Sequence, residues 1–267
     1  MFMNTFQNKV IWVTGASSGI GEALAKALAA EGAKLILSSR RKEELDRVKN
    51  SIKSLDSDIL VLPLDLQDTS NVNELTKQVI DKFGRIDMLF NCGGISQRSF
   101  VKDTSIEIDR KIMEVNFFGT AALTKSVLPY MLQQKNGYII VISSIVGKFG
   151  FYLRSAYSAS KHALHGFFDS LRMEIYKDNV KVLLVCPGKI RTNISFNAVT
   201  GDGGKHSKMD DSTDKGLSPE VCAQQILNGI KNNKEEISIG GMDINAIWLK
   251  RFFPNLFSKI IRKQTAE

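Results

Sequence analysis

Short apolar runs alternate with longer helical patterns along almost the whole chain, and this alternation limits the possible folds more than any other feature. The runs are rich in β-branched residues and show little polar alternation, as expected of parallel strands covered on both faces. The alternation therefore predicts an α/β domain built on a doubly wound parallel sheet with helices on both faces. The predicted strands are Lys9–Thr14, Lys34–Ser38, Ile59–Pro63, Met88–Asn91, Tyr138–Ser143 and Lys181–Cys186, with a seventh near Glu236–Ile239. The predicted helices are Ile20–Ala30, Lys42–Leu55, Val72–Phe83, Ile106–Gln133 and Ala156–Tyr176.

Residues 1–267 are interpreted as a single domain, because the chain is long enough for one full core and contains no linker or internal repeat. Residues 193–217 follow the sixth strand, so we interpret them as a flexible flap over the substrate, with an ordinary surface loop as the alternative. Residues 244–267 form a hydrophobic and basic extension. Three roles are open for it: a wall of the substrate pocket, a subunit contact, or peripheral contact with a membrane surface.

Half of the chain's excess charge lies in this extension. The net charge is +8, and residues 244–267 hold five basic residues against Glu267, a net of +4. The remainder is only mildly basic, which argues against nucleic acid as a partner. Three scattered cysteines, Cys92, Cys186 and Cys222, indicate neither disulfides nor a metal site and fit a reducing, cytoplasmic setting. The polar N-terminal segment and the lack of a long apolar run predict neither a signal peptide nor a spanning helix.

A tyrosine and a lysine in the sequence Y-S-A-S-K carry the strongest chemical signal. On a helix, Lys161 lies one turn beyond Tyr157 on the same face, where its charge is expected to lower the tyrosine's pKa from an ordinary value of about 10. Ser144 precedes the tyrosine by thirteen residues, and its hydroxyl is suited to hold a carbonyl or alcohol oxygen against the phenol. These groups can move a proton but not a hydride, so the chemistry requires a cofactor.

A glycine-rich turn after the first strand supplies the cofactor site. The sequence T-G-A-S-S-G-I-G places Gly15, Gly19 and Gly21 between the first strand and the first helix. Glycines let the backbone approach a pyrophosphate closely, and the helix N-terminus offers unpaired N–H groups with a partial positive charge. The predicted contacts in this cradle are Gly15, Ser17, Ser18, Gly19, Ile20 and Gly21.

The order and spacing of these motifs resemble those of the short-chain dehydrogenase/reductase family, in its single-domain branch. The family pattern TGxxxGxG matches Thr14–Gly21, the pattern YxxxK matches Tyr157–Lys161, and the family's upstream serine matches Ser144. Further family positions are matched by Asn116 in V-N-F-F-G and by Pro187, Gly188, Ile190 and Thr192. The resemblance covers residues 9–240 and implies a Rossmann-type fold.

The resemblance also implies roles for individual residues. It completes a catalytic set of Asn116, Ser144, Tyr157 and Lys161, in which the lysine also holds the nicotinamide ribose and the Asn116 backbone carbonyl holds a relay water. The family's N-N-A-G is replaced here by Asn91-Cys92-Gly93-Gly94, a departure that affects local support more than the reaction. The other implied cofactor contacts are Asp65, Leu66, Asn91, Gly93, Tyr157, Lys161, Pro187, Gly188, Ile190 and Thr192. Relatives commonly form dimers or tetramers through the helices predicted at Ile106–Gln133 and Ala156–Tyr176, so a homo-oligomer is expected.

The end of the second strand indicates NADP(H) as the preferred coenzyme, with NAD(H) possible. Enzymes that prefer NAD place an acidic residue there, whereas this chain has Ser39 followed by Arg40 and Arg41. A guanidinium binds a 2′-phosphate through charge-assisted hydrogen bonds, so we expect Arg40 as the main contact and Ser39 in support. Against this, many NADP-preferring relatives carry a basic residue where this chain has Ser18, and the two arginines could simply begin a charged helix.

Together these features predict an oxidoreductase that transfers a hydride between NADP(H) and a carbonyl or secondary alcohol carbon, with Tyr157 as general acid/base. The alternatives are an NAD-dependent alcohol dehydrogenase and a non-catalytic NADP(H)-binding sensor or scaffold. Phe149, Phe151 and Tyr152 lie in a segment expected to border the substrate. They favour an apolar or aromatic ketone, sterol or lipid-like substrate.

Overall fold

A computed structural model describes residues 5–53 and 58–263, and in these ranges the predicted strands assemble into one sheet. Seven strands lie in the order β3-β2-β1-β4-β5-β6-β7, and every neighbouring pair is parallel. The doubly wound parallel sheet is therefore confirmed. The strands are β1 (Val10–Thr14), β2 (Lys34–Ser38), β3 (Ile59–Val61), β4 (Met88–Asn91), β5 (Gly137–Ile142), β6 (Val180–Pro187) and β7 (Glu236–Ile239). The helices are α1 (Gly19–Ala30), α2 (Lys42–Ser51), α3 (Val72–Phe83), α4 (Ile106–Met113), α5 (Gly119–Gln133), α6 (Ser155–Glu174), α7 (Asp211–Asp214), α8 (Pro219–Lys231), α9 (Asn245–Phe252) and α10 (Pro254–Ile261).

Helices cover both faces of the sheet, which explains why the central strands are apolar on both sides. Every residue of β1, β4 and β5 is buried. On one face the core includes Leu24 of α1 and Ile226 of α8. On the other face it includes Val79 of α3, Val127 of α5 and Phe168 of α6. These two layers hold the carboxyl ends of the strands at one edge of the domain.

The strand order reverses between β1 and β4, and this reversal locates the ligand cleft. From β1 the chain proceeds outward to β2 and β3, and then returns to place β4 on the other side of β1. In open parallel sheets, ligands bind outside the carboxyl ends of the strands where the order reverses. The glycine-rich turn after β1 and the loop after β4 therefore flank the same crevice.

The chain is helical over the whole of the predicted range Ile106–Gln133, but the hydrogen-bond pattern changes within it. The structure divides it into α4, a π-helical segment at Glu114–Phe118, and α5. A π-helical segment breaks the regular i→i−4 hydrogen bonding, and such segments are frequent at functional sites. Asn116 lies in the middle of this one. The second helix also ends earlier than predicted, at Ser51, and the predicted end at Leu55 lies outside the described residues.

Residues 193–217 contact the body of the domain at several points. An isolated β-bridge pairs Val199 with Gln97, in the loop after β4. The side chains of Ser195 and Ala198 are fully buried.

The C-terminal extension folds into α9 and α10, which lie against the cleft. Phe257 of α10 is buried in a small apolar cluster with Val146, Phe149 and Tyr157. The tail helices therefore form part of the wall of the cleft, and residues 264–267 lie outside the described residues. In the described part of the chain, no helix has both the length and the apolar character needed to span a membrane.

Candidate active site

A cleft of about 1720 Å³ opens at the carboxyl edge of the sheet. Its walls come from the glycine-rich turn, the loops after the central strands, the first turns of α6, and the tail helices α9 and α10. Pockets for one small ligand usually measure roughly 300–1,000 Å³. The cleft therefore has room for a dinucleotide and a substrate together.

The turn after β1 is shaped for a phosphate. Gly15 and Gly19 have φ angles of +63° and +57°, a region that side chains with a Cβ rarely adopt. A Cβ at Gly21 would collide with the Gly15 carbonyl group, whose carbon lies 2.7 Å away. Ser18 precedes α1 without a side-chain cap hydrogen bond, which leaves the helix N-terminus for a ligand oxygen. The cradle therefore fits the pyrophosphate of a dinucleotide.

Thr14 fixes the loop after β4 against this turn. Its Oγ1 donates to the Phe90 carbonyl at 3.2 Å and accepts from the backbone N–H groups of Cys92 and Gly93 at 3.0 and 3.1 Å. The bonds from this loop come from backbone groups, which do not depend on the side chain at position 92. The departure from the family's N-N-A-G pattern therefore leaves the support of this loop in place.

Ser144, Tyr157 and Lys161 line one wall of the cleft. The Lys161 Nζ lies 5.7 Å from the centre of the Tyr157 ring, and Ser144 makes a side-chain hydrogen bond with Tyr157. Ser144 is oriented further by its Oγ, which donates to the Pro187 carbonyl at 3.3 Å. Tyr157 is 8% exposed and Lys161 is 5% exposed, so both act in a nearly dry setting.

Burial dominates the pKa of Tyr157. Desolvation raises this pKa above its ordinary value, and the charge of Arg154, the hydrogen bond with Ser144 and the charge of Arg98 oppose the rise. The expectation that Lys161 brings the tyrosine's pKa below 10 is therefore wrong for this structure, because removal from water disfavours the phenolate more than neighbouring charges favour it. Tyr157 is protonated at neutral pH, which suits a proton donor.

Lys161 is itself a desolvated cation. Burial lowers its pKa to about 8, and its Nζ donates to the Ile142 carbonyl at 2.8 Å. An ammonium group has three N–H donors. In the described ranges this hydrogen bond uses one of them, so the others remain for a ligand or water at the cleft wall.

Asn116 supports the loop beside the lysine. Its Oδ1 accepts from the Ile95 N–H at 2.8 Å, and its Nδ2 donates to the Ile95 carbonyl at 2.9 Å and to the Ser160 Oγ at 3.0 Å. The side chain is fully buried and does not line the cleft. It connects the π-helical segment, the loop after β4 and α6, and so fixes the position of α6 relative to the sheet.

Every predicted cofactor contact except Asn91 lines the cleft. The Asn91 Nδ2 donates instead to the Thr124 Oγ1 of α5 at 3.1 Å, because successive side chains of a strand point to opposite faces. The side chain of Asn91 therefore supports α5, and its cofactor contact stays a prediction. The lining residues are Gly15, Ser17, Ser18, Gly19, Ile20, Gly21, Ser39, Arg40, Asp65, Leu66, Gly93, Tyr157, Lys161, Pro187, Gly188, Ile190 and Thr192.

Gln97 positions the catalytic helix, and sequence reasoning missed it. Its Oε1 accepts from the backbone N–H groups of Ala156 and Tyr157 at 2.9 and 3.4 Å. These N–H groups lie in the first turn of α6, where they have no hydrogen-bond acceptor within the helix. Its Nε2 donates to the Ser155 Oγ at 3.3 Å. Gln97 lies nearly sixty residues before the helix that it caps, so no local capping pattern in the sequence indicates this role.

A buried cluster of Arg98, Asp210 and Arg154 adjoins the tyrosine and was also missed. Both guanidinium groups bind the same carboxylate: Arg98 through Nε at 3.2 Å and through Nη2, and Arg154 through Nη2 at 2.9 Å. Burial alone would raise the pKa of Asp210, but the hydrogen bond and charge of Arg98 hold it below its ordinary value. Asp210 is therefore ionised and ties the segment 193–217 to the catalytic wall.

The mouth of the cleft is bordered by exposed aromatic side chains of the tail. Trp248 and Phe252 stack with their ring centres 5.8 Å apart, and each is at least 60% exposed. Phe253 is exposed beside them and also lines the cleft. Arg251 and Lys250 stand on the same helix with exposed side chains.

Sequence comparison matches residues 9–202 to the family model described as short chain dehydrogenase. A relative from Anopheles gambiae, named dehydrogenase/reductase SDR family protein 7-like, is 44% identical over 96% of this chain and 83% of its own length. A relative from Mus musculus, named dehydrogenase/reductase SDR family member 7B, is 40% identical over 96% of this chain and 80% of its own length.

Solved structures of the same fold superpose on nearly the whole chain. A short-chain dehydrogenase from Streptomyces avermitilis has a TM-score of 0.81 and 28% identity, with 96% of each chain covered. A short-chain dehydrogenase/reductase from Burkholderia phymatum, in complex with NAD, has a TM-score of 0.84 and 22% identity over 95% of this chain and 96% of its own. A short-chain dehydrogenase from Burkholderia cenocepacia, in complex with NADP, has a TM-score of 0.79 and 22% identity over 97% of this chain and 99% of its own.

Proposed function

The chain belongs to the short-chain dehydrogenase/reductase family and is an oxidoreductase, and from this we propose that it transfers a hydride between NADP(H) and a carbonyl or secondary alcohol carbon. One observation carries the proposal: the phosphate cradle and the set of Ser144, Tyr157 and Lys161 face one cleft. A screen of ketones and aldehydes that follows NADPH absorbance tests it. Lack of turnover across aliphatic, aromatic and sterol ketones would contradict it.

The nicotinamide, when bound, supplies or accepts the hydride, and the residues of this chain handle the proton. In reduction, Tyr157 donates its proton to the carbonyl oxygen, and its raised pKa keeps that proton available at neutral pH. When substrate is bound, the Ser144 hydroxyl turns from the Pro187 carbonyl to donate its hydrogen bond to the same oxygen, which fixes the distance of that oxygen from the phenol. Lys161 holds the ribose and, with a water on the Asn116 carbonyl, resupplies the proton. In oxidation each transfer runs in reverse.

The proposed preference for NADP(H) is supported by charges at the end of β2. Arg40 and Arg41 are exposed, line the cleft and, within residues 5–53 and 58–263, carry no ion pair. The neighbouring Arg47 is different, because Glu22 and Glu44 engage its guanidinium. Ser39 at the strand end presents no carboxylate to repel a 2′-phosphate.

Replacement of Arg40 by alanine should raise the KM for NADPH by roughly 10- to 100-fold, since a charge-assisted hydrogen bond contributes about 1.5–3 kcal/mol. The KM for NADH should change little, because NADH lacks the 2′-phosphate. Saturation curves with both coenzymes measure this. Lys42→Ala serves as the control, because it removes a positive charge from the same segment at a residue that does not line the cleft and is paired with Asp46. A lower wild-type KM for NADH than for NADPH would overturn the preference.

We also propose that the exposed face of the tail contacts an anionic bilayer surface peripherally. This face combines Trp248, Phe252 and Phe253 with nearby basic residues. Aromatic and apolar side chains enter the interface between headgroups and acyl chains, while lysine and arginine bind anionic headgroups. The cleft mouth would then face the membrane. The free cysteines of the chain fit the reducing, cytoplasmic side.

Wild-type protein should float with anionic liposomes, and the double variant Trp248→Glu/Phe252→Glu should lose about 10-fold or more in bound fraction. Two exposed aromatic side chains that would enter the bilayer interface are replaced by two carboxylates that anionic headgroups repel. Val221→Glu, at an exposed apolar position on α8, is the control, because α8 is not among the helices of the proposed subunit contact. Light scattering on the same samples tests the proposed homodimer or homotetramer through α4, α5 and α6. The double variant should keep the wild-type mass; a mass change without a flotation change would assign the face to subunit contact.

A further inference from the structure

Arg154 is a cation with few partners for its degree of burial. Its side chain is 15% exposed, and among the described residues its single ion pair is to the Asp210 carboxylate, through Nη2 at 2.9 Å. That carboxylate is shared with Arg98, whose side chain is 3% exposed. Two guanidinium groups and one carboxylate leave a net positive charge in the wall of the cleft.

The two arginines differ in how many of their guanidinium N–H groups are hydrogen-bonded to the protein. Arg98 bonds Asp210 twice and donates through Nη1 to the Ser96 Oγ at 3.0 Å and the Gln97 carbonyl at 2.6 Å. Its charge is therefore held by protein groups. A guanidinium has five N–H donors, and in the described ranges Arg154 uses one of them. The unused donors belong to a residue that lines the cleft.

The electrostatic state of Arg154 agrees with this shortage of anions. Burial, followed by repulsion from Arg98, lowers its pKa to about 10, against the opposing effect of Asp210. The group stays charged at neutral pH. A mostly buried cation that shares its one counter-ion with a second cation is unfavourable unless a ligand provides further negative charge.

The position of Arg154 relative to the chemistry is also fixed. It immediately precedes α6, three residues before Tyr157, and it is close enough for its charge to act on that phenol. Its Cζ lies 4.9 Å from the centre of the Phe151 ring, and Phe149 and Phe257 line the cleft nearby. The guanidinium therefore lies at the border between the proton donor and an apolar wall.

We propose that Arg154 is an anion subsite of the substrate pocket, and that the substrate is a carbonyl or alcohol compound carrying a carboxylate or phosphate group together with an apolar chain. The inference rests on the proposed function, because that function places the reacting oxygen at Tyr157. The anionic group pairs with the unused donors of Arg154. The apolar chain packs against the phenylalanines and extends toward the tail helices at the cleft mouth.

The subsite is tested with octanoate, octyl phosphate and octanol, which share an eight-carbon chain and differ in the headgroup. Each compound is titrated calorimetrically into protein saturated with NADP⁺. Wild type should bind the tighter of the two anions roughly 10- to 100-fold more strongly than octanol, as expected for a charge-assisted hydrogen-bonded pair. Arg154→Gln should remove that preference and leave octanol binding unchanged. The order of octanoate and octyl phosphate identifies a carboxylate or a phosphate as the better ligand.

Two further variants control for folding and for general charge. Lys205→Gln removes another cation that lines the cleft but lies outside the cluster, and it should keep the preference. Arg154→Lys keeps the charge and should retain most of it, which covers the case in which Arg154→Gln does not fold. An equal preference in wild type and Arg154→Gln, or none in wild type, overturns the proposal. Because the readout is binding, this failure is distinct from a lack of turnover with neutral ketones.

Discussion

Tyr157→Phe should lower turnover by about 10³-fold or more while leaving coenzyme affinity nearly unchanged. Proton transfer by a positioned side chain typically contributes 10²–10⁴-fold, and in this wall the phenol is the group that can donate to a carbonyl oxygen next to Ser144. The ring itself remains, so its packing in the cluster with Val146, Phe149 and Phe257 is retained. The substitution should therefore lower kcat and leave coenzyme binding nearly unchanged.

Initial rates with a ketone identified in the screen, together with quenching of protein fluorescence by NADPH, separate chemistry from coenzyme binding. Tyr152→Phe is the matched control, because Tyr152 is 44% exposed and packs edge-on against Phe100 at 5.4 Å. It should behave as wild type. Retention of most activity in Tyr157→Phe would exclude the tyrosine as the proton donor.

The second large effect is expected at the glycine-rich turn. Gly21→Ala places a Cβ against the backbone carbonyl group of Gly15, with 2.7 Å to its carbon, so the turn itself must move. Displacement of the turn weakens backbone N–H bonds to the pyrophosphate, each charge-assisted bond contributing about 1.5–3 kcal/mol. Coenzyme affinity should fall roughly 100-fold for a loss of about 2.7 kcal/mol.

Gly166→Ala is the matched control for this substitution. It is also a helical glycine, in α6, and a Cβ there meets nothing within 4 Å. Its coenzyme affinity should be that of wild type, with stability raised by about 0.5–1 kcal/mol because alanine favours the helix. Fluorescence titration with NADPH and thermal unfolding measure both quantities. Equal affinity in Gly21→Ala and Gly166→Ala would show that the turn does not hold the coenzyme.

The sheet and the chemical motifs could be predicted from the sequence because each is local. Apolar runs such as those of β1 and β5 are buried on both faces, and few other arrangements accommodate them. The glycine-rich turn and the pair Tyr157 and Lys161 can likewise be recognised from the spacing of a few neighbouring residues. Once the sheet brings their elements to one edge, the site follows.

The remainder depends on contacts between distant parts of the chain, which a local pattern does not contain. Asp210 binds Arg98 and Arg154 across 112 and 56 residues. The π-helical hydrogen bonding at Glu114–Phe118 is similar, because Asn116 in that segment bonds to Ile95 and to Ser160 of α6. The raised pKa of Tyr157 likewise has no local sequence signal, because its cause is burial, which is a property of the folded chain.

The desolvated lysine also has a thermodynamic consequence for the whole molecule. In the unfolded chain Lys161 holds its proton up to its ordinary pKa of 10.5, whereas in the fold the pKa is about 8. Below pH 8 both states carry the charge, and the folded state carries it at a disadvantage of roughly 3 kcal/mol, which fades as the pH rises toward 10.5. That amount is a large share of the roughly 5–15 kcal/mol by which domains are stable. The wall of the cleft that contains Lys161 therefore destabilises the folded state. The apolar layers buried on both sides of the sheet must offset this cost.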